Sequence, residues 1–169
     1  MDIKQLINQT KQKRTLSGQT YNKSYYENNF KVLLDIGQYY EKMATDRIIK
    51  HYEFKEPNIV QCHDKRCDMI INEIKYEVKT DIKAMETSNI YIEFISVNKP
   101  SGITTTQAHF YIIVIPHDIP IFIMISVETL KQMILNNKYF KIFQPNKYNN
   151  FSGGYIFKMD TLLSNALLI

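Results

Sequence analysis

Glycine and proline are scarce in this chain, five of each in 169 residues, too few for a linker or a low-complexity protein. No apolar run approaches the ~18 residues that mark a membrane-spanning helix. The opening Met1-Asp2-Ile3-Lys4 lacks the apolar stretch of a signal peptide, so no membrane partner is expected. Cysteine is limited to Cys62 and Cys67. In a chain this long that is no disulfide framework, and the expectation is an intracellular protein with reduced thiols. Nor do Cys62, His63 and Cys67 make a structural zinc site, which needs four ligands, because no second Cys/His set follows. No nucleophile context accompanies His109 or His117, and nothing resembles a phosphate-binding GxxxxGK[ST] loop. What remains is an ordinary globular balance, 44% hydrophobic and 22% charged, in a length that suits one domain with a real core.

The formal net charge is +4, and its placement is uneven. Lys4, Lys11, Lys13, Arg14 and Lys23 face Asp2 alone within residues 1–23; removing those five cations and one anion from totals of 21 and 17 leaves 16 of each sign. The expected organisation is therefore a basic, partly flexible arm over 1–23 and a single folded domain over 24–169. A basic arm on a neutral body suits a polyanion, because phosphate contacts release counterions. Lys11, Lys13, Arg14 and Lys23 are the candidate backbone contacts. The abundance of Ile, Lys, Asn and Tyr points to an A+T-rich coding genome, as in many phages, viruses and some bacteria.

From about Tyr25 to Tyr52 there is no proline, and Phe30, Leu33, Leu34, Gly37, Tyr40, Ala44 and Ile48 recur at helical spacing. This predicts a long amphipathic helix, closed before Glu56-Pro57. Strands are expected at Ile59–Cys62, Asp68–Ile71, Ile74–Asp81, Ile90–Val97, Phe110–Ile115, Ile119–Ile125 and Tyr155–Lys158. Thr104–His109 is read as a short helix with Thr104 and Gln107 as its capping box. A second helix should follow Ser126 to about Asn137, and the chain should end in a helical turn. That order makes an α/β (α+β) layer fold around a mixed sheet.

The chemistry concentrates between residues 68 and 79. Asp68 opens one expected strand, while Glu77 and Lys79 share a face of the next, since residues two apart on a strand point the same way. A tight turn at Asn72-Glu73 brings Asp68 beside Glu77. Two carboxylates at close range repel unless a cation joins them, and hard oxygen ligands suit Mg²⁺ or Mn²⁺. Such an ion acidifies bound water and neutralises charge on a phosphate; Lys79 is placed to orient water and stabilise developing charge.

Asp68 followed by Glu77-Val78-Lys79 resembles the D…(D/E)xK pattern of the PD-(D/E)XK nuclease superfamily, with Cys67 where the founding motif has proline. That core runs helix, three strands, helix, strand, and the expected elements from about residue 25 to 115 follow the order. Asn89-Ile90-Tyr91-Ile92-Glu93, Lys99-Pro100-Ser101-Gly102-Ile103 and Thr105-Thr106-Gln107-Ala108 look like stretches of phage and viral members. The resemblance implies a restriction-endonuclease-like core with a C-terminal extension. It implies Asp68 and Glu77 as metal ligands, Lys79 as a catalytic residue, and Mg²⁺ or Mn²⁺ as cofactor. The implied activity is a metal-dependent endodeoxyribonuclease acting on double-stranded or branched DNA in recombination, repair or host-DNA processing. A viral member would work in the cytoplasm, the nucleus or a virus factory.

Glu41 lies on the apolar stripe of the first helix, where a carboxylate needs a partner; family members often carry a Glu there that reaches the metal. Gly37, one turn earlier, would let the helix come close to the sheet. Glu93 shares a strand face with Tyr91 and is a candidate third ligand or an outer-layer residue, with a structural salt bridge as the alternative. Gln107 stands where related nucleases place a Lys or Gln, or else caps Thr104. Ser101 and Thr104–Thr106, Thr105 among them, are candidate phosphate donors at a helix N-terminus, or plain caps. A homodimer, built on the apolar strands, would serve two-strand cleavage. Two rivals stand beside the nuclease: a silent nuclease-fold DNA-binding module, and a viral protein-interaction protein without a nucleic-acid role.

Overall fold

A computed structural model describes residues 23–62, 67–144 and 152–169. The proline-free segment forms one long helix, α1 (Lys23–His51). Among its side chains from Lys31 onward, Ile36, Tyr40, Ala44 and Ile48 are fully buried, while Leu34 is 48% exposed. The buried stripe thus follows strict four-residue steps and runs through Ile36, which moves Leu34 off the contact. A Cβ placed on Gly37 meets nothing within 4 Å, so Gly37 does not serve a close approach to the sheet.

Three short strands follow: β1 (Ile59–Gln61), β2 (Met69–Ile71) and β3 (Ile74–Thr80). The β2–β3 turn has only Asn72 and Glu73 between the paired Ile71 and Ile74. Both turn residues have positive φ, 48° and 69°, the primed geometry that matches the twist of a two-residue hairpin. Tyr76 and Val78 are buried toward α1, and Glu77 and Lys79 take the opposite face, as strand alternation dictates.

After β3 come α2 (Ala84–Thr87), β4 (Asn89–Ser96), β5 (Lys99–Pro100) and a 3₁₀ turn at Gly102–Thr104. Then follow β6 (Phe110–Ile115), β7 (Ile121–Ser126), α3 (Val127–Leu135), β8 (Lys141–Phe143), β9 (Ser152–Lys158), α4 (Met159–Leu163) and β10 (Leu167–Leu168). Ser126 caps α3 by accepting from the Thr129 amide at 2.9 Å.

The strands form two sheets. The first has six strands in the order β1-β2-β3-β6-β7-β10, and the second has four, β5-β4-β9-β8. In the first only β3 and β6 run parallel, which makes it a mixed sheet; the second is antiparallel throughout. A parallel pair needs a long crossover, and residues 81–109 supply it with β4, β5 and the 3₁₀ turn. One face of the six-stranded sheet packs on α1 through Met69, Ile71, Tyr76, Ile112, Val114 and Phe122. The other face carries Tyr111, Ile113, Ile123 and Ile125 against Ile90, Ile92 and Phe157 of the second sheet and Leu130 and Leu162 of α3 and α4. With both faces covered, β6 and β7 are continuous apolar runs. The molecule is a mixed α/β layer fold.

Four expectations change. The helix at Thr104–His109 is absent: regular structure stops at Thr104, and the capping box is formed by Ser101 and Thr104. Buried Thr106 turns inward and the His109 amide donates to the Lys75 carbonyl at 2.8 Å, so this β-branched stretch lies along β3 and does not coil. The apolar strands β6 and β7 are interior and offer no dimer surface; the exposed apolar groups include Ile59 and Val60 of edge strand β1 and Leu167 and Leu168 of edge strand β10. Cys62 and Cys67 are joined in a disulfide, contrary to the reduced thiols expected, because the hairpin brings their Cα atoms to 5.9 Å. Finally, strands β5, β8 and β10 and the short helix α2 have no counterpart in the sequence reading, which expected a loop where β5 pairs with β4. Among the described residues no helix is long and apolar enough to cross a membrane.

Candidate active site

Asp68 leaves the ladder where β2 begins. Its amide donates to the Tyr76 carbonyl at 2.9 Å, and its Oδ2 accepts from the Val78 amide at 2.6 Å. Asp68 therefore brackets Glu77, its backbone amide bound before it and its carboxylate after it. This is a charge-assisted bond to a buried amide, and it pins Asp68 to β3 through the geometry of the two-residue turn.

Glu77 is 7% exposed. Its Oε1 meets Lys79 Nζ at 2.6 Å, and its Oε2 lies 3.4 Å from the Thr106 hydroxyl. Burial pushes the Glu77 pKa above the usual carboxylate value; the adjacent Lys79 cation opposes this, and Asp68 repulsion adds to it. The Lys79 side chain is 45% exposed. Protein crowding alone lowers its pKa, but the carboxylates of Glu77, Asp68 and Glu93 outweigh that and hold it above the ordinary lysine value. Lys79 is accordingly a standing cation and no proton acceptor at neutral pH.

Glu41 arrives from α1 and is part-buried. Its pKa is raised, first by burial and next by Asp68, with Lys79 opposing and Glu77 adding to it. Glu41, Asp68, Glu77 and Lys79 thus lie within electrostatic reach of one another, with Glu77 and Lys79 in direct contact.

Glu93 approaches from the second sheet and acts on Lys79. Its two oxygens accept from Ser101 Oγ at 2.7 Å and Ser152 Oγ at 2.8 Å, and Ser152 Oγ is 2.7 Å from the Tyr91 hydroxyl. Ser101 therefore serves Glu93. Thr105 is exposed beside the Gly102 carbonyl, and Thr104 Oγ1 binds the Phe94 and Ser101 carbonyls. With no helix behind them these residues form no helix-end anion site. Gln107 is exposed on irregular backbone. Lys11, Lys13 and Arg14, and the side chain of Lys23, lie outside the described residues.

Among the described residues no three His, Cys, Asp or Glu side chains stand grouped to hold a metal ion; the counter-charge at Glu77 is Lys79. The donor chemistry nevertheless fits a hard divalent cation: three oxygen donors, two of them with raised pKa, are destabilised by mutual repulsion that a cation relieves.

Two members of the site escaped the sequence reading. Thr106 was read only as a cap or a phosphate donor, and it touches Glu77. Tyr111 pairs in register with Glu77 on the neighbouring strand, yet in sequence it is one more apolar residue of a buried strand. Comparison with protein-family models, with curated proteins and with solved structures finds no match.

Proposed function

We propose that this chain is a divalent-metal-dependent endodeoxyribonuclease of the PD-(D/E)XK type, with a restriction-endonuclease-like core. The observation that carries the reading is the convergence of Asp68, Glu77 and Lys79 on adjacent strands, with Glu41 of α1 within electrostatic reach of all three. Three elements aim charged groups at one spot, at a cost in repulsion and burial that a structural role does not require.

In this reading Asp68, Glu77 and Glu41 hold Mg²⁺ or Mn²⁺, with Glu93 at the margin. The cation, when bound, supplies Lewis-acid stabilisation of the phosphodiester and an acidified water. Lys79 does the positioning. Always protonated, it donates hydrogen bonds to the water and to a non-bridging phosphate oxygen, and offsets charge as it develops. Lys79 also holds Glu77 ionised until the site is loaded. Thr106 fixes the Glu77 carboxylate from the far side, and Asp68, tied to the Val78 amide, presents its second oxygen. The basic arm, with Lys11, Lys13, Arg14 and Lys23, follows the backbone of double-stranded or branched DNA. Two-strand cleavage by so small a domain calls for a homodimer, for which the exposed apolar edges at β1 and β10 are available.

One observation favours a second reading. The closed Glu77–Lys79 pair is also what a silent DNA-binding module would carry, and such a module binds DNA without cation and without cutting. Labelled duplex, single-stranded and branched DNAs, incubated with Mg²⁺, Mn²⁺ or EDTA, separate the two. Cation-dependent cutting that falls roughly 10²–10³-fold in Lys79→Ala supports the nuclease. Cutting that survives this substitution, or binding without any cutting, overturns it.

A further inference from the structure

Tyr111 is a fully buried phenol on the side of the six-stranded sheet that carries Glu77. It sits next to Glu77 across the parallel β3–β6 ladder, with Glu77 paired to Tyr111 as Lys79 is paired to Ile113. Residues paired in this way project from the same face of a sheet, on strands about 4.8 Å apart. Tyr111 is 1% exposed, and its hydroxyl has no hydrogen-bond partner among the described residues. Leaving a buried hydroxyl unpaired costs about 1–3 kcal/mol, and native proteins almost always satisfy such a group with protein or ordered water.

The other buried phenol without a protein partner, Tyr76, has a different setting. It points to the α1 side of the sheet, packs on Phe110 and, besides burial, feels Tyr52. After burial, the groups that raise the Tyr111 pKa are Glu77, Asp68 and Glu93. The same three carboxylates act on Lys79. Tyr111 from below and Lys79 from the open side therefore address one set of oxygens. With its pKa raised, the phenol keeps its proton and has it to donate in a hydrogen bond.

We propose that Tyr111 is a positioning residue of the Asp68–Glu77 site, its hydroxyl donating a hydrogen bond to a water molecule shared with the Glu77 carboxylate. This rests on the nuclease reading and deepens it. Lys79 orients from the solvent side, and Tyr111 fixes the floor, so that the carboxylate keeps one orientation when Lys79 lets go of it. Apolar neighbours, Ile113, Ile90 and Ile92 among them, leave that water no competing partners on the core side.

Tyr111→Phe tests the proposal, since it removes one oxygen and preserves the ring. Three quantities are read: Mn²⁺ affinity by calorimetry without DNA, kcat and KM for DNA cleavage, and the thermal midpoint of the metal-free protein. An outer partner of a ligating carboxylate is worth roughly 10–100-fold in metal affinity or activity. The expected result is Mn²⁺ binding weakened about tenfold and kcat lowered by a similar factor, with KM for DNA unchanged. A structural tyrosine would move the thermal midpoint alone. Wild-type affinity and kcat in Tyr111→Phe overturn the proposal while leaving the nuclease standing. A wild-type protein that neither binds Mn²⁺ nor cuts DNA removes the underlying reading and this proposal with it.

Discussion

Asp68 does two jobs that a substitution pair can separate. Its Oδ2 satisfies the buried Val78 amide, and its charge acts on Glu41, Glu77 and Lys79. Asp68→Asn keeps an acceptor for Val78 and deletes the charge; Asp68→Ala deletes both. We expect Asp68→Ala to lose about 1–3 kcal/mol of stability and Asp68→Asn to lose little, with cleavage abolished in both; equal unfolding midpoints in denaturant would refute the split. Glu77 yields a pH prediction. Its pKa is raised above 4.5, so the folded chain holds a proton that the unfolded chain has released in the window from about 4.5 to the raised value. Stability from this group is therefore full below that window and lost as pH rises through it. Glu77→Gln has no charge to bury, so it should be more stable than wild type above that window, and this advantage should shrink as pH falls through it toward 4.5. A pH-independent gap in thermal midpoint would show that Glu77 ionisation is not the cost. Asp68, Glu77 and Lys79 were legible in the sequence because strand alternation puts i and i+2 on one face. Tyr111 was not, because its neighbour lies 34 residues away in register, and nothing local marks one tyrosine in a run of apolar residues.

The elements were legible wherever a local pattern was also the packing pattern. Alternation in β3, the Ser126 cap of α3 and the Tyr40, Ala44 and Ile48 part of the α1 stripe belong to that class, whereas Ile36 was not expected on the stripe and Leu34, expected there, is exposed. The expected helix at Thr104–His109 failed because the chain there is held by long-range bonds. Thr106 reaches Glu77, and the His109 amide pairs with Lys75, and these outweigh a capping motif. Strand β4 joins β9 across more than fifty residues, a partnership no window reveals. The β2–β3 turn carries a testable strain. Glu73 sits at φ 69°, a left-handed conformation that costs a residue with a Cβ roughly 1–2 kcal/mol and glycine almost nothing. Glu73 is also exposed. Glu73→Gly should therefore raise the unfolding free energy by about 1 kcal/mol, after the larger unfolded-state entropy of glycine is subtracted, and leave Mn²⁺ affinity unchanged. A loss of stability would mean that Glu73 makes a contact worth more than the strain.

At the scale of the molecule the question is where the positive charge works. The body is neutral and the excess lies within residues 1–23, while the site itself has three carboxylates within electrostatic reach of Lys79. A polyanion meeting that cluster unaided would be repelled, so under the nuclease reading the arm must supply the attraction that brings DNA to the sheet. Each phosphate contact contributes about −0.9 to the slope of log affinity against log salt on duplex DNA. Replacing Lys11, Lys13 and Arg14 with alanine should therefore make the slope shallower by about 3 units. Affinity should fall most at low salt, and kcat at saturating DNA should hold, because the roles proposed for the reaction fall on Glu41, Asp68, Glu77 and Lys79. Fluorescence anisotropy with a labelled duplex across a salt series, in the presence of Ca²⁺ or EDTA to suppress cutting, reads the slope directly. An unchanged slope in the triple variant would move the binding surface from the arm to the folded body. A lower kcat at saturation would instead make the arm part of the site.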